Sequence, residues 1–194
     1  MNRFYIFVFK ILDKILKILF LPLSLFLIIL IRTISPFMLV RYALLPDSRI
    51  GHFVIDVAIY LCKKKTKKNM PKIPYLDLFC FGHSHLTSNS QIKKMWKKKL
   101  IIIPNFILIP IMKIDQILNK FWPSKLNHRV DLTDFDQFDL VSKLPSQIKF
   151  NQEEEKKGFA LLQKMGIPKN AKFVTLIVRD SKYLKEKWPK KNWK

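Results

Sequence analysis

The sequence predicts an α/β protein with a mainly parallel sheet, preceded by a membrane-associating segment. Three observations carry that prediction. Short apolar runs rich in β-branched and aromatic residues, such as Tyr75–Phe81 and Phe173–Val178, alternate with longer stretches of helical periodicity. Turn-forming Pro, Asp, Asn and Gly residues fall between them, as at Pro46-Asp47 and Gly166-Ile167-Pro168. Residues 1–36 differ from the rest: an apolar segment with a basic stripe.

Within residues 1–36, Lys10, Asp13, Lys14 and Lys17 recur at three- and four-residue intervals and so share one helical face, while Phe7, Ile11, Leu12, Ile15, Leu16, Ile18 and Leu19 cover the remainder. Ile18 to Ile31 is then free of charge, closed by Lys17 and Arg32. Fourteen helical residues cover about 21 Å, short of a hydrocarbon core of about 30 Å. No small-residue cleavage site follows Arg32, and Asp13 with its lysines interrupts the apolar core, which argues against a secretory signal. Three readings remain: a monotopic anchor with its lysines on anionic headgroups, a span over residues 11–31 with snorkelling lysines, and a buried core helix. The pattern favours attachment, and the monotopic form over the spanning one. The lysine-rich remainder is then expected at the cytoplasmic face of the membrane.

The first strand is expected within Phe37–Leu45. Pro46-Asp47-Ser48 turns the chain, and a helix opens at Gly51-His52 and runs through Cys62. Lys63–Lys68 reads as an exposed loop. Tyr75–Phe81 is the second strand, with Gly82-His83-Ser84-His85 beyond its carboxyl end. Asn89–Lys99 is helical, with Ile92, Met95 and Trp96 inward and Lys93, Lys94, Lys97, Lys98 and Lys99 outward. Trp96 among lysines fits either a half-buried anchor or a stacking platform for nucleic acid, the anchor being the commoner arrangement.

Leu100–Ile103 is the third strand, and Phe106–Phe121 a helix that Pro110 kinks or delays. Residues 131–150 form a linker or surface loop. Its Asp131, Asp134, Asp136 and Asp139 lack the glycine-centred spacing of a calcium loop. In residues 151–194, Asn151 caps a helix whose first turn holds Glu153, Glu154 and Glu155. Phe159, Leu161, Leu162 and Met165 supply its apolar face, and Gly166 stops it. Phe173–Val178 is the last strand.

Thirty-six Lys and Arg against 14 Asp and Glu give a formal charge of +22, which predicts attraction to polyanions without choosing among nucleic acid, acidic lipid and phosphorylated substrates. Cys62 and Cys80 lie in apolar stretches without metal-ligand spacing and read as small buried hydrophobes in a reducing compartment. His83 and His85 lack the partners of a zinc site, so no metal and no cofactor are expected.

Two segments suggest a ligand site, since open α/β sheets bind ligands beyond the carboxyl ends of their strands. Arg179 follows the last strand, where a permanently charged, forked guanidinium suits paired phosphate oxygens; an ordinary surface pair with Asp180 is the alternative. Arg49, Gly51 and His52 stand at the amino end of the first helix after a strand, where free amides and the dipole favour an anion; an ordinary strand-to-helix turn is the alternative. The spaced glycines of a dinucleotide fingerprint are absent.

Arg49-Ile50-Gly51-His52-Phe53, the glutamate-led helix ending Met165-Gly166-Ile167-Pro168, and Phe173 to Leu184 with Arg179-Asp180-Ser181-Lys182-Tyr183 resemble a bacterial family of glycosyltransferases of surface-polysaccharide gene clusters. That family is distantly similar to fucosyltransferase-type enzymes of GT-B architecture. The resemblance covers about residues 37–193, most specifically Met165 to Leu184; Ile177 stands where the family usually has histidine. It implies a Rossmann-like acceptor-side domain over residues 37–130, and over 151–194 the helix and first strand of a donor domain cut short, so that the chain alone is expected to turn over little. It also implies a nucleotide-sugar donor whose diphosphate Arg179 contacts, with Arg49, Gly51 and His52 lining the cleft, and a cell-surface glycan or lipid-linked acceptor. A base must take the acceptor proton, and His52 and Asp180 are candidates by type. The rival expectation is a non-catalytic basic protein on anionic membrane or nucleic acid, although no specific nucleic-acid motif occurs.

Overall fold

The computed structural model describes residues 3–82, 87–133, 135–168, 170–172 and 174, with the backbone alone for residues 3–7, 9 and 10. The chain divides into two compact units, Met1–Lys149 and Phe150–Lys194.

The first unit opens with two helices, α1 (Arg3–Leu19) and α2 (Leu21–Ile34). They meet at a bend of 54°. Pro22 lies in the first turn of α2, where its missing N–H costs nothing and its ring prevents α1 from continuing unbroken. Strand β1 (Leu39–Leu45) follows, then α3 (Ile50–Thr66), β2 (Tyr75–Phe81), α4 (Ser90–Lys97), the short β3 (Ile101–Ile102), α5 (Asn105–Phe121) and the single-turn α6 (Leu140–Lys143). The helix after the first strand is thus longer than expected. It absorbs Lys63, Lys64 and Lys65, which favour a carboxyl-terminal turn, and ends at Lys67 with φ 55°. Pro110 lies inside α5 without delaying its start.

The fold is α/β, and its three-stranded sheet is parallel with order β1-β2-β3. After β3 the chain returns to the far side of β1, where Arg129 forms a parallel bridge with Tyr42 and the backbone of His128 and Val130 completes the pairing. Spatially the order is therefore bridge, β1, β2, β3, and the topology reverses beside β1. Alternating residues serve two cores. Ala43, Leu45, Phe79 and Phe81 pack with Phe53, Val57 and Tyr60 of α3 and Trp96 of α4. Tyr42 and Cys80 face the opposite side with Ile28 of α2 and Leu108 and Ile111 of α5. Trp96 is wholly buried and donates its Nε1–H to the Phe53 carbonyl at 2.8 Å, so it is an anchor of α4 and offers no stacking platform.

At the amino end of the sheet, register partners Arg41 and Asp77 form a buried pair, with Nε and Nη2 donating to the two carboxylate oxygens at 2.7 and 2.9 Å. Tyr60 donates to the same carboxylate at 2.6 Å, fastening α3 to β2. Burial first, and then the Asp77 carboxylate, push the Tyr60 phenol well above its ordinary pKa.

In the second unit, α7 (Gln152–Lys164) begins with a reciprocal cap: Glu154 N–H donates to Asn151 Oδ1 at 2.8 Å and Asn151 N–H to Glu154 Oε2 at 2.9 Å. Gly166, at φ 82°, closes the helix as expected, and Ile167 N–H reaches the Leu162 carbonyl. Phe159, Leu161 and Met165, expected on a buried face, are exposed. The strand expected over Phe173–Val178 falls outside the described residues apart from Val174, which is in no strand and exposed, and Arg179 and Asp180 also lie outside them.

Candidate functional site

The carboxyl ends of β1 and β2 carry the candidate site. Arg49 is the N-cap of α3 and is exposed, and Gly51 is likewise exposed in the first turn. The Arg49 side chain makes no capping bond of its own, and the positive dipole end of α3 lies at the head of β1. His52 follows with its side chain 40% exposed, Nδ1 lying 3.5 Å from Oδ1 of the buried Asp56 one turn on. That distance is long for a hydrogen bond but places a carboxylate beside the imidazole, where it orients the ring. Arg49, Gly51 and His52 thus all stand at the amino end of α3.

Sequence reasoning missed a second group beside them. Asp47 is buried, and its Oδ2 accepts from the Thr87 hydroxyl at 2.9 Å. Thr87 Oγ1 in turn accepts from Lys93 Nζ at 3.2 Å. Lys93, expected outward, instead folds over the Phe81 ring at 4.5 Å, and Phe81 meets Phe53 edge-on at 6.1 Å. The lysine therefore lies at the same strand ends as the first turn of α3. Burial lowers its pKa, Asp47 opposes that shift and Lys97 adds to it. The signal was present: Lys93 stands three residues before Trp96 and so shares its helical face, and Asp56 stands four after His52.

Gly82 packs closely against this group. A side chain on Gly82 would place its Cβ 3.3 Å from Asp47 Oδ1, and the Gly82 carbonyl accepts from Asn105 Nδ2 at 2.8 Å, tying β2 to the start of α5. Chemically the group offers Arg49, Lys93 and a helix amino terminus to an anion, and a carboxylate-supported imidazole to a proton. Among the described residues no set of three or more His, Cys, Asp and Glu side chains is gathered as for a metal ion.

On the other face of the sheet α5 and α2 pack against the strands with α1 beside them, and α1 and α2 have inverted polarity. Ser24, Ile28 and Arg32, at four-residue spacing, form the buried face of α2 against α5, while Leu23, Leu25, Phe26, Ile29 and Leu30 point outward, Phe26 being 63% exposed. In α1, Asp13 and Lys17 pair with each other and are half-buried, whereas Ile18 and Leu19 are 64% and 68% exposed. Among the described residues no single helix is long and apolar enough to cross a membrane; the bent pair passes that test only together.

Compared with models of known protein families, with curated proteins and with solved structures, this chain matches none.

Proposed function

We propose that the chain is a membrane-attached glycosyltransferase domain that receives a sugar from a nucleotide donor onto a glycan or lipid-linked acceptor at the bilayer surface. The observation that carries the reading is the inverted layer. A soluble surface does not place Ser24, Arg32, Asp13 and Lys17 inward and a continuous array of leucine, isoleucine and phenylalanine outward. A helix pair of this kind lies in the interface as a monotopic anchor, and the surplus of lysine complements anionic headgroups. With α5 it lies on one side of the sheet whose carboxyl edge holds Arg49, Lys93 and His52, so an acceptor in the membrane is at hand.

The chemistry supports the same reading. Departure of a nucleoside diphosphate builds negative charge, which Arg49, Lys93 and the amino end of α3 are suited to stabilise. His52, supported by Asp56, has the character of the base that takes the acceptor proton. The resemblance around Arg179 and Asp180 adds a third cation and a second candidate base, both outside the described residues. No cofactor beyond the donor itself enters the proposal.

The test is calorimetric titration of uridine and guanosine diphosphates into the protein in neutral detergent. Arg49→Ala and Lys93→Ala are each expected to weaken binding at least about tenfold, the scale of one charge-assisted contact. Equal affinity of wild type and both variants would remove the phosphate role. The second reading, a non-catalytic basic protein on anionic surfaces, is favoured by the charge of +22. It predicts binding to duplex DNA and acidic vesicles that collapses with salt and no response to a nucleoside diphosphate.

A further inference from the structure

A polar cavity of about 280 Å³ lies at the other end of the first unit, between the last turns of α5 and the segment that bridges to β1. Asp115, Asn119, Ser124, Lys125, His128 and Arg129 line it. We propose that it binds a compact phosphate group, as a phosphate monoester presented by a lipid headgroup or by a soluble metabolite.

The charge balance is the first argument. Asp115, the single acid of the lining, is neutralised from behind by Arg32, whose Nε and Nη2 both donate to Oδ1, at 3.0 and 2.7 Å. Lys125 and Arg129 have no carboxylate within ion-pair distance among the described residues, and Arg129 reaches only Gln116 Oε1 at 3.4 Å. The cavity therefore carries two uncompensated cations.

The donor geometry is the second. Asn119 Oδ1 accepts from Ser124 N–H at 2.9 Å, which leaves the side-chain NH₂ to donate. His128 Nδ1 lies 2.8 Å from the Val40 carbonyl, an acceptor only, so that nitrogen holds a proton. Its Nε2 then accepts from the Ser124 hydroxyl at 3.2 Å, which holds the imidazole and the Ser124 segment together at the wall. Two cations and an amide NH₂ are groups that compact phosphate sites use.

The third is position. Phe121 and Trp122, at the end of α5, are 82% and 51% exposed, and Arg32 of the outward-facing apolar layer donates to the Trp122 carbonyl. Exposed aromatics beside a buried arginine mark the headgroup level of a bilayer, so a lipid headgroup is the nearer source. That choice of source rests on the membrane reading above; the preference for phosphate does not.

Glycerol 3-phosphate is titrated into the protein in neutral micelles, and vesicles of phosphatidylcholine with or without phosphatidic acid are floated with it. Lys125→Ala/Arg129→Ala is compared with Lys94→Ala/Lys98→Ala, which removes the same charge from α4, and with Asn119→Asp, which keeps the acceptor to Ser124 and replaces the donor. The cavity double variant and Asn119→Asp are expected to lose at least about tenfold in affinity for glycerol 3-phosphate, with the α4 control within about twofold of wild type. Equal losses in both double variants, or no loss in either, would overturn the site. A phosphatidic acid preference that disappears with Lys125 and Arg129 supports the lipid source, and its absence alongside intact glycerol 3-phosphate binding overturns that source. Flotation on phosphatidylcholine alone reports on α1–α2 and fails separately.

Discussion

Arg32 and Asp115, 83 residues apart in sequence, form a buried ion pair that fastens α2 to α5, with guanidinium Nη2 2.7 Å from carboxylate Oδ1. The guanidinium also donates to the carbonyls of Asp115 and Trp122. Removing either partner strands the other charge in a largely buried interface. Arg32→Met is expected to destabilise the first unit by about 3–5 kcal/mol, whereas Arg32→Met/Asp115→Leu recovers most of that loss, because a buried pair offers little over a well-packed apolar replacement. A double-mutant cycle by chemical denaturation in detergent measures both numbers. Additive losses would mean that the two groups do not act on each other.

The outward array of α2 leads to a prediction of opposite sense for its two faces. Leu25→Gln/Phe26→Gln changes groups that contact no core and is expected to leave denaturation midpoints in aqueous detergent nearly unmoved, while lowering partition into vesicles by well over tenfold. Each large apolar side chain is worth about 1.5–3 kcal/mol when fully withdrawn from water. Ser24→Leu, on the packed face where the Ser24 hydroxyl donates to the Phe20 carbonyl at 2.7 Å, should do the reverse: destabilise by overpacking and leave partition intact. Flotation at low and high salt separates apolar insertion, which survives salt, from lysine attraction, which does not.

Much of this architecture was legible in the chain because local signals agreed with tertiary ones. Strands β1 and β2 were marked by apolar runs, α7 by Asn151, its glutamates and Gly166, and the Arg49–His52 turn by its place after a strand. What escaped was set by partners distant in sequence. The lysines of α1 were legible as a stripe, but the run of residues alone does not reveal that Asp13 and Lys17 face inward and leucines outward; periodicity fixes which residues share a face and leaves open which face is packed. Lys93 was assigned to solvent by residue type, and only the meeting of Trp96 with Phe53 turns its face towards the sheet. The exposure of Phe159 and Leu161 likewise depends on contacts that a single helix does not encode.

Cys62 and Cys80 bear on the redox reading. Both are buried and free, Cys62 on α3 on one side of the sheet and Cys80 on the other with Tyr42 and Leu108. The sheet between them excludes a bridge without rearrangement. Burial pushes the Cys80 thiol up to about 12, with a small opposing contribution from Lys17. At neutral pH its thiolate fraction is therefore minute, and alkylation of the folded protein by iodoacetamide is expected to be slow and to accelerate sharply on unfolding. Mass spectrometry of the tryptic peptides after a short pulse reads this out; rapid native labelling of Cys80 would place it at the surface.

Lys93 gives the most direct link between stability and the candidate site. Its folded pKa lies below that of the unfolded chain, chiefly through burial, so in the window between the two values the native state holds fewer protons than the unfolded one and stability rises with pH. Below that window the ammonium is charged in both states and the cost of burying it is fully present; above it the cost is gone. Lys93→Met lacks this dependence. Its stability advantage over wild type is expected to be greatest near neutral pH and to shrink as pH climbs towards about 10.4, the ordinary lysine value. Chemical denaturation across that range measures the gap, and a gap independent of pH would show that Lys93 is not desolvated. A bound diphosphate favours the charged ammonium, so uridine diphosphate should raise the folded pKa and shift the window upward in wild type. Where the nucleotide stabilises wild type and the Met variant alike, Lys93 is a half-buried cation with no part in holding the donor.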